Sequence, residues 1–526
     1  MGVRPLRLLP LLLLLAGCSK GNFNSRSTTG AAVLTYPLEN KVTTLDPGRV
    51  QDAIMPEIMA NVFEGLVAYD EKNTISPMLA ERWDVTEGGK TYVFHLREAK
   101  FQDGTPVTAE SFKWTWERNL GPELASPIAT GYLGDIVGVK EFADGKAKSV
   151  SGVKVVDEHT LSVTLDKPRP YFLGNLTYPC AFVLPKSVGT KEIRTVDKAI
   201  GTGPFKLTKV IEDQQIDLVA NAGYWGGKPK VEKIARPVVI DNATRLSGFR
   251  NGQYDFLLLP RSDVANVQSD PKLKPLLRFQ QRPAVFYFLI NQKEYAPFKD
   301  VRVRKAFAMA INRESIVNDL LTGQTVANGL VPPGVPGFQE GYKGLPYDPE
   351  GARKLLSEAG YPSGKGLPDL ELNYRSGRPD SRVASEAVAT ALKKELNVPI
   401  STKALELGAL VSRRNKDELQ MAFMSWNADY LDPQNFLSLL MTSDSKLNHD
   451  GFNSPEFDRL CAQADVDLNP ERRMGLYQQA ERIAVEQAAR LPLYFEMQPI
   501  LVSPNVKGLR ESLFGILPHT KTEIVR

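Results

Sequence analysis

No segment of this chain has 18 consecutive apolar residues, and its conspicuous apolar run, Leu8 through Leu15, is broken by Pro10. A bilayer-spanning helix needs roughly 20. The chain must therefore fold in water, around cores of its own. Its apolar fraction of 42% supports large cores, and the length suggests about three units. Strand and helix signals are mixed from end to end, without a fixed repeat. Tyr92, Phe94 and Leu96 alternate with polar residues, as do Leu161, Val163 and Leu165, the period of a half-buried strand. His95 falls on the opposite, solvent face of the first of these. Helices are punctuated by caps and breakers. Thr108 opens one that ends at Gly121-Pro122, with Phe112 and Trp116 on a shared core face. Asp348-Pro349 opens another, stopped by Gly360. Asn469-Pro470 opens a third, expected to end near Arg490 before Pro492. Mixed order of this kind predicts an α/β (mixed α+β) protein built from non-contiguous pieces.

The N-terminus has its own logic. Arg4 and Arg7 precede the apolar run, and Leu15-Ala16-Gly17-Cys18 follows it. A basic start, a short apolar core and small residues before a cut site describe a secretory signal. The tetrapeptide resembles the lipobox of bacterial lipoproteins. That resemblance implies removal of residues 1–17 and lipidation of Cys18, leaving 526 − 17 = 509 residues. Residues 19–29 are small and polar, too poor in apolar groups to order themselves. Residues 18–31 therefore read as a lipidated tether, eleven residues of which reach on the order of 20 Å.

Net charge is +4, and +2 once Arg4 and Arg7 are removed. This balance excludes the basic stripe of a nucleic-acid binder. After Cys18, only Cys180 and Cys461 remain, 281 positions apart, and they are expected to be separate buried thiols. No Cys/His spacing resembles a zinc site, and no metal or cofactor is called for. The chain has four histidines and neither an HExxH nor a GxSxG pattern, so an enzyme is not expected. Gly360 to Lys365 lacks the spacing of a phosphate-binding loop. The chain cannot hydrolyse ATP itself.

A series of short runs occurs in order along the chain. Leu45-Asp46-Pro47 is followed by Val62-Phe63-Glu64-Gly65-Leu66, then by Phe101-Gln102-Asp103-Gly104-Thr105-Pro106. Gly201-Thr202-Gly203-Pro204-Phe205, Pro297-Phe298-Lys299-Asp300-Val301-Arg302, Tyr347-Asp348-Pro349-Glu350 and Trp426-Asn427-Ala428-Asp429-Tyr430-Leu431-Asp432-Pro433 come later. From about Leu34 onward the chain resembles the periplasmic oligopeptide-binding protein family, the peptide class of solute-binding proteins for ATP-binding-cassette importers. The resemblance implies two hinge-connected lobes enclosing the ligand. Lobe I would comprise residues 32–60, 186–285 and 491–526, with 61–185 as an added β-rich domain. Lobe II would be 286–490. It also implies delivery to a membrane permease with a separate ATPase, a monomer, and a place in the periplasm or on the cell surface, held to the membrane through Cys18.

The same resemblance implies site residues. A peptide presents an ammonium, a carboxylate and a backbone whose amides do not depend on its sequence. Asp429, three residues after Trp426, matches the family's ammonium-binding acid. Residues Ser425 to Asn427 would pair with peptide backbone as an added strand, and Trp426 would give a flat apolar wall. The carboxylate end departs from the family: Phe423 stands where some relatives have an arginine, and Gln51 stands near the place of an acid. Arg375, Arg378 and Arg382 are the replacement candidates, with Arg382 preferred, while Arg413, Arg414 and Lys416 are expected on the surface. These departures leave open a non-peptide cargo such as a metal chelate or cell-wall fragment, or a sensor or chaperone role.

Overall fold

The computed structural model describes residues 32–52 and 54–525. The leader 1–17, Cys18 and the tether to residue 31 lie outside the described residues. The architecture is mixed α/β, with separate hydrophobic cores on two sides of a cleft. On one side, strands Val33–Thr35, Lys233–Pro237, Gln215–Ala220 and Phe205–Ile211 form one sheet in that order. Leu34, Phe63, Phe205, Ile216 and Ile234 are buried beneath it. A second, antiparallel sheet orders Ala80–Thr86, Thr91–Leu96, Thr160–Thr164 and Val153–Asp157. Tyr92, Phe94 and Leu96 point inward from it, onto the helix Ala109–Leu120. Phe112 and Trp116 of that helix meet edge to face, with ring centres 6.2 Å apart. The indole N–H of Trp116 donates to the Ala181 carbonyl at 3.1 Å, so both aromatics are core. His95 lies on the outer face, 2.8 Å from Asp84.

The other side is organised by the sheet order Phe256–Leu258, Arg490–Val502, Leu277–Ile290, Met421–Asn427, Leu370–Arg375, Ile400–Leu405. Leu277–Ile290 and Arg490–Val502 are its two long strands. They pair antiparallel from Leu277 opposite Leu501 to Leu289 opposite Arg490, and the register slips between Gln281 and Val285. One end of the pair buries Ile500 and Val502 in the first lobe's core. The other end buries Val285 to Ile290 and Leu491 to Phe495 in the cores of the second. The slip surrounds Pro283, which has no N–H to give to a ladder.

The capping signals form as read. Thr108 accepts from Ser111 in a reciprocal box, Asp348 caps Pro349–Glu358, and Asn469 caps Pro470–Glu486. The third helix ends earlier than expected. It stops at Glu486, Ala488 turns the chain at φ +46°, and Pro492 lies inside a strand. The reason is that Leu491 to Phe495 are buried on both faces, the mark of a central strand. Pro492 is tolerated at the second register irregularity, opposite Tyr287. Cys180 and Cys461 are free and buried.

One fully buried ion pair ties the first lobe together. Asp46 takes both Arg118 guanidinium nitrogens and the backbone N–H groups of Gly48 and Ile193. Arg118 also donates to the carbonyls of Gly189 and Lys191. Neither side chain is exposed. Arg118→Ala leaves Asp46 as a buried unpaired charge and should cost about 3–5 kcal/mol. Urea unfolding monitored by tryptophan fluorescence measures this, and a loss under about 1 kcal/mol would contradict the account.

Candidate functional site

Three contiguous compartments lie between the lobes. One of about 640 Å³ and one of about 530 Å³ share Asp52, Arg282, Asn427 and Phe514 in their walls. A third, of about 280 Å³, shares Arg378, Ser381 and Glu496 with the second. The strand Met421–Asn427 runs along this cleft. Its inner half is held on both sides, by Leu277–Ile290 and by Leu370–Arg375. Leu370–Arg375 pairs with it only at Met421 and Ala422. From Phe423 to Asn427 the edge away from Leu277–Ile290 has no strand neighbour among the described residues. Such an edge offers free N–H and C=O groups to an extended ligand.

Asp429 follows directly and lines the 640 Å³ compartment. Burial pushes its carboxyl above the usual carboxylate range, and a hydrogen bond from Tyr132 opposes that push. Tyr132 is itself held by stacking on Tyr178, ring centres 4.1 Å apart. The backbone N–H of Asp429 donates to Asn435 Oδ1 at 3.2 Å. No cationic side chain lies within 4.0 Å of this carboxylate among the described residues. It is a partly buried acid in the cleft wall with room beside it for a cation.

The expected residues separate into two groups. Ser425, Asn427, Asp429 and Gln51 line the cleft. Trp426 does not. It packs on the second lobe's core and donates its indole N–H to Asn435 Oδ1 at 2.8 Å. Strand alternation turns it away from the faces of Ser425 and Asn427, so it supports the Asp429 turn instead of forming a wall. Arg382 is also outside the cleft. It is exposed on the helix Pro379–Leu396 and paired with Glu386 one turn on, at 2.9 Å.

Arg375 and Arg378 do line the 530 Å³ compartment. Arg414, expected on the surface, lines it too. Arg282 was missed and stands at the junction of both large compartments. A Cβ at Gly515 would lie 2.6 Å from its guanidinium, and Gly515 has φ +112°, so glycine is required there. The available signal was Gln280-Gln281-Arg282, a polar run just before the apolar stretch Pro283 to Ile290 of the same strand.

The sequence model of the bacterial extracellular solute-binding proteins, family 5 (middle), matches residues 74–448. The chain is 32% identical to the periplasmic oligopeptide-binding protein OppA of Salmonella typhimurium, over 89% of this chain and 88% of that one. It is also 32% identical to the probable deoxycholate-binding periplasmic protein YgiS of Escherichia coli, over 90% of each. The solved structure of the Escherichia coli murein tripeptide binding protein MppA superposes with a TM-score of 0.78 at 28% identity. That match covers 94% of this chain and 98% of that one.

Glu64 belongs to the same cleft wall. Its two carboxylate oxygens accept from Tyr224 Oη at 2.7 Å and Trp225 Nε1 at 2.9 Å. Arg97 lies over the Trp225 ring at 3.8 Å. Burial pushes Glu64 up to about 7, against the opposing hydrogen bonds. The folded state therefore holds this proton more tightly than the unfolded one. That stabilisation is complete below pH 4.5 and lost as pH rises through 7. Relative to Glu64→Gln, the wild type should lose about 2–3 kcal/mol of stability between pH 5 and 8. Denaturant titrations of both proteins at the two pH values test this, and parallel pH profiles would refute it.

Proposed function

The chain belongs to the bacterial extracellular solute-binding proteins of family 5, and from that premise we propose that it captures short peptides in the cleft for an ATP-driven importer. The observation that carries this reading is Asp429: a partly buried carboxylate with no cation of its own, at the end of a strand whose edge is open. A peptide supplies both missing partners. Its ammonium meets Asp429, and its backbone pairs with Phe423 to Asn427. Water expelled by the closing lobes strengthens that charge contact and raises the penalty for an unmatched group. The names of relatives that bind oligopeptides and murein tripeptide support the same cargo class.

The proposal extends to the rest of the transport cycle. Ligand contact with both lobes shifts the population toward a closed form, which a membrane permease with a separate ATPase then receives. Residues 32–60, 186–285 and 491–526 act as the first lobe, 61–185 as its added domain and 286–490 as the second. The protein works as a monomer tethered by lipid on Cys18. Cys18→Ala should move it from the membrane to the soluble fraction of the expressing bacterium and abolish acyl-chain labelling. Unchanged partition would reject the anchor.

A second reading has one observation in its favour. The 640 Å³ compartment is lined by Tyr69, Tyr178, Phe182, Trp225, Phe514 and Leu517. This would suit a large amphipathic acid, the class that includes the deoxycholate in the printed name of one relative. Native mass spectrometry of freshly purified protein separates the two, as a ladder of peptide masses or a single adduct.

Asp429→Ala should weaken free-amine peptides by a few hundred- to a few thousand-fold, from about 3–5 kcal/mol of lost pairing. The same peptides N-acetylated should bind weakly to both proteins. Calorimetry that finds unchanged affinity for free-amine peptides would remove Asp429 from the site.

A further inference from the structure

The 530 Å³ compartment gathers three arginines that have no carboxylate within 4.0 Å among the described residues. Arg375 ends the strand Leu370–Arg375, Arg378 is the residue before the helix Pro379–Leu396, and Arg414 sits in the last turn of Leu407–Asn415. All three line the compartment. None has a carboxylate within 4.0 Å among the described residues. Arg414 spends two donors on the neighbouring Asn415 side chain. Arg375 and Arg378 make no side-chain hydrogen bond among the described residues.

The acids nearby act on them only from beyond 4.0 Å, Glu406 on Arg375 and Glu39 and Asp380 on Arg378, and most of these acids have closer partners. Glu57 takes Arg236 on both oxygens at 3.0 Å. Asp52 caps the backbone N–H groups of Ile54 and Met55, and Glu39 faces Arg245 at 3.8 Å. Glu406 accepts from the Gly408 N–H of its own helix. Glu496 remains, and it acts on Arg282. Burial pushes the Arg375 guanidinium down, and the like charge of Arg378 pushes it the same way, against an opposing pull from Glu406. Burial also lowers Arg414, with Arg490 adding to it.

A fold that gathers like charges into a part-buried space carries a repulsion that a bound anion relieves. The buried Ser381 lines the same compartment in the first turn of the Pro379–Leu396 helix. That helix end is a positive pole. Three guanidinium forks suit carboxylates, which they grip in pairs of parallel hydrogen bonds.

We propose that this compartment binds a cargo end carrying at least two carboxylates, so that the preferred peptides end in an acidic residue. The inference rests on the peptide reading of the cleft. With its ammonium at Asp429, a peptide laid along the strand points its other end toward Phe423, in the arginine compartment. The six-residue span from Phe423 to Asp429 is at most roughly 20 Å, which sets the scale as a few residues.

The test titrates ligand-free protein calorimetrically with tri-, tetra- and pentapeptides of alanine ending in Glu, each beside its Gln-ended partner. The Glu member should bind at least about tenfold tighter at one or more lengths. The contrast should shrink in 0.5 M salt, roughly a 4 Å screening length. It should fall to within about threefold in Arg375→Gln and Arg378→Gln, provided their thermal midpoints are unchanged. Equal binding of Glu and Gln peptides overturns the inference and leaves the peptide reading standing. A contrast that survives both substitutions overturns the assignment to these arginines. Binding of neither set overturns the peptide reading itself, and this inference falls with it.

Discussion

The pairing of Leu277–Ile290 with Arg490–Val502 joins the two sides of the cleft. Its two ends are buried in the cores of different lobes, so the lobes are joined through backbone hydrogen bonds that neither can give up alone. One weak stretch lies at Arg282-Pro283-Ala284, where the register slips and a donor is missing, and a second lies at Phe286-Tyr287, opposite Pro492. Fewer ladder bonds hold the pair together at these two places. Ala428 donates its N–H to the Pro283 carbonyl at 2.8 Å, and Arg282 stands between the two large compartments. The turn that carries Asp429 is therefore fastened beside the first of these weak stretches.

The handling of charge differs inside and outside the cleft. Away from it, several buried arginines are matched with carboxylates. Arg473 grips Asp432 with two bonds of 2.7 Å, Arg490 holds Asp450 at 2.6 Å, and Arg118 holds Asp46. In the cleft, among the described residues, Asp429 has no cation within 4.0 Å and Arg375, Arg378 and Arg414 have no carboxylate within 4.0 Å. Unmatched charges in a part-buried site cost stability. Under the peptide reading a ligand would complete these open charges, negative at one end of the strand Met421–Asn427 and positive at the other.

Much of this was legible wherever the signal is local. Thr108, Asp348 and Asn469 cap helices because a side-chain oxygen two or three residues ahead of free N–H groups does so in any context. The alternation at Tyr92-Phe94-Leu96 places a face without reference to the rest of the fold. Asp429 was reachable through the family's Trp-x-x-Asp spacing. What failed depended on distant neighbours. Pro492 reads as a helix stop, but a bulge against Tyr287 hosts it. Trp426 reads as a binding aromatic, but its face is decided by the register with Val285. Arg382 and Arg414 exchanged places. The Arg382–Glu386 spacing was itself the sign of a surface pair, while nothing near Arg414 says that its helix end turns inward.

The peptide and amphipathic-acid readings make opposite demands on one group. A ligand without an ammonium would leave the Asp429 carboxylate enclosed and unmatched, unless Asp429 took up a proton. Burial raises its pKa and so reduces the cost of that proton, but the Tyr132 hydrogen bond works to keep the anion. Tyr132 is braced by Tyr178, and the Asp429 backbone is pinned to Asn435, which Trp426 also holds. That much second-layer support fixes the position of a charge, which a neutral acid in an apolar wall would not need. Glu64, across the same compartment, shows the other outcome: both oxygens are occupied by Tyr224 and Trp225, and its pKa has risen to about 7. Of the two acids, Glu64 has both oxygens taken and Asp429 is the one with room for a cation, and this favours a ligand that arrives with an ammonium.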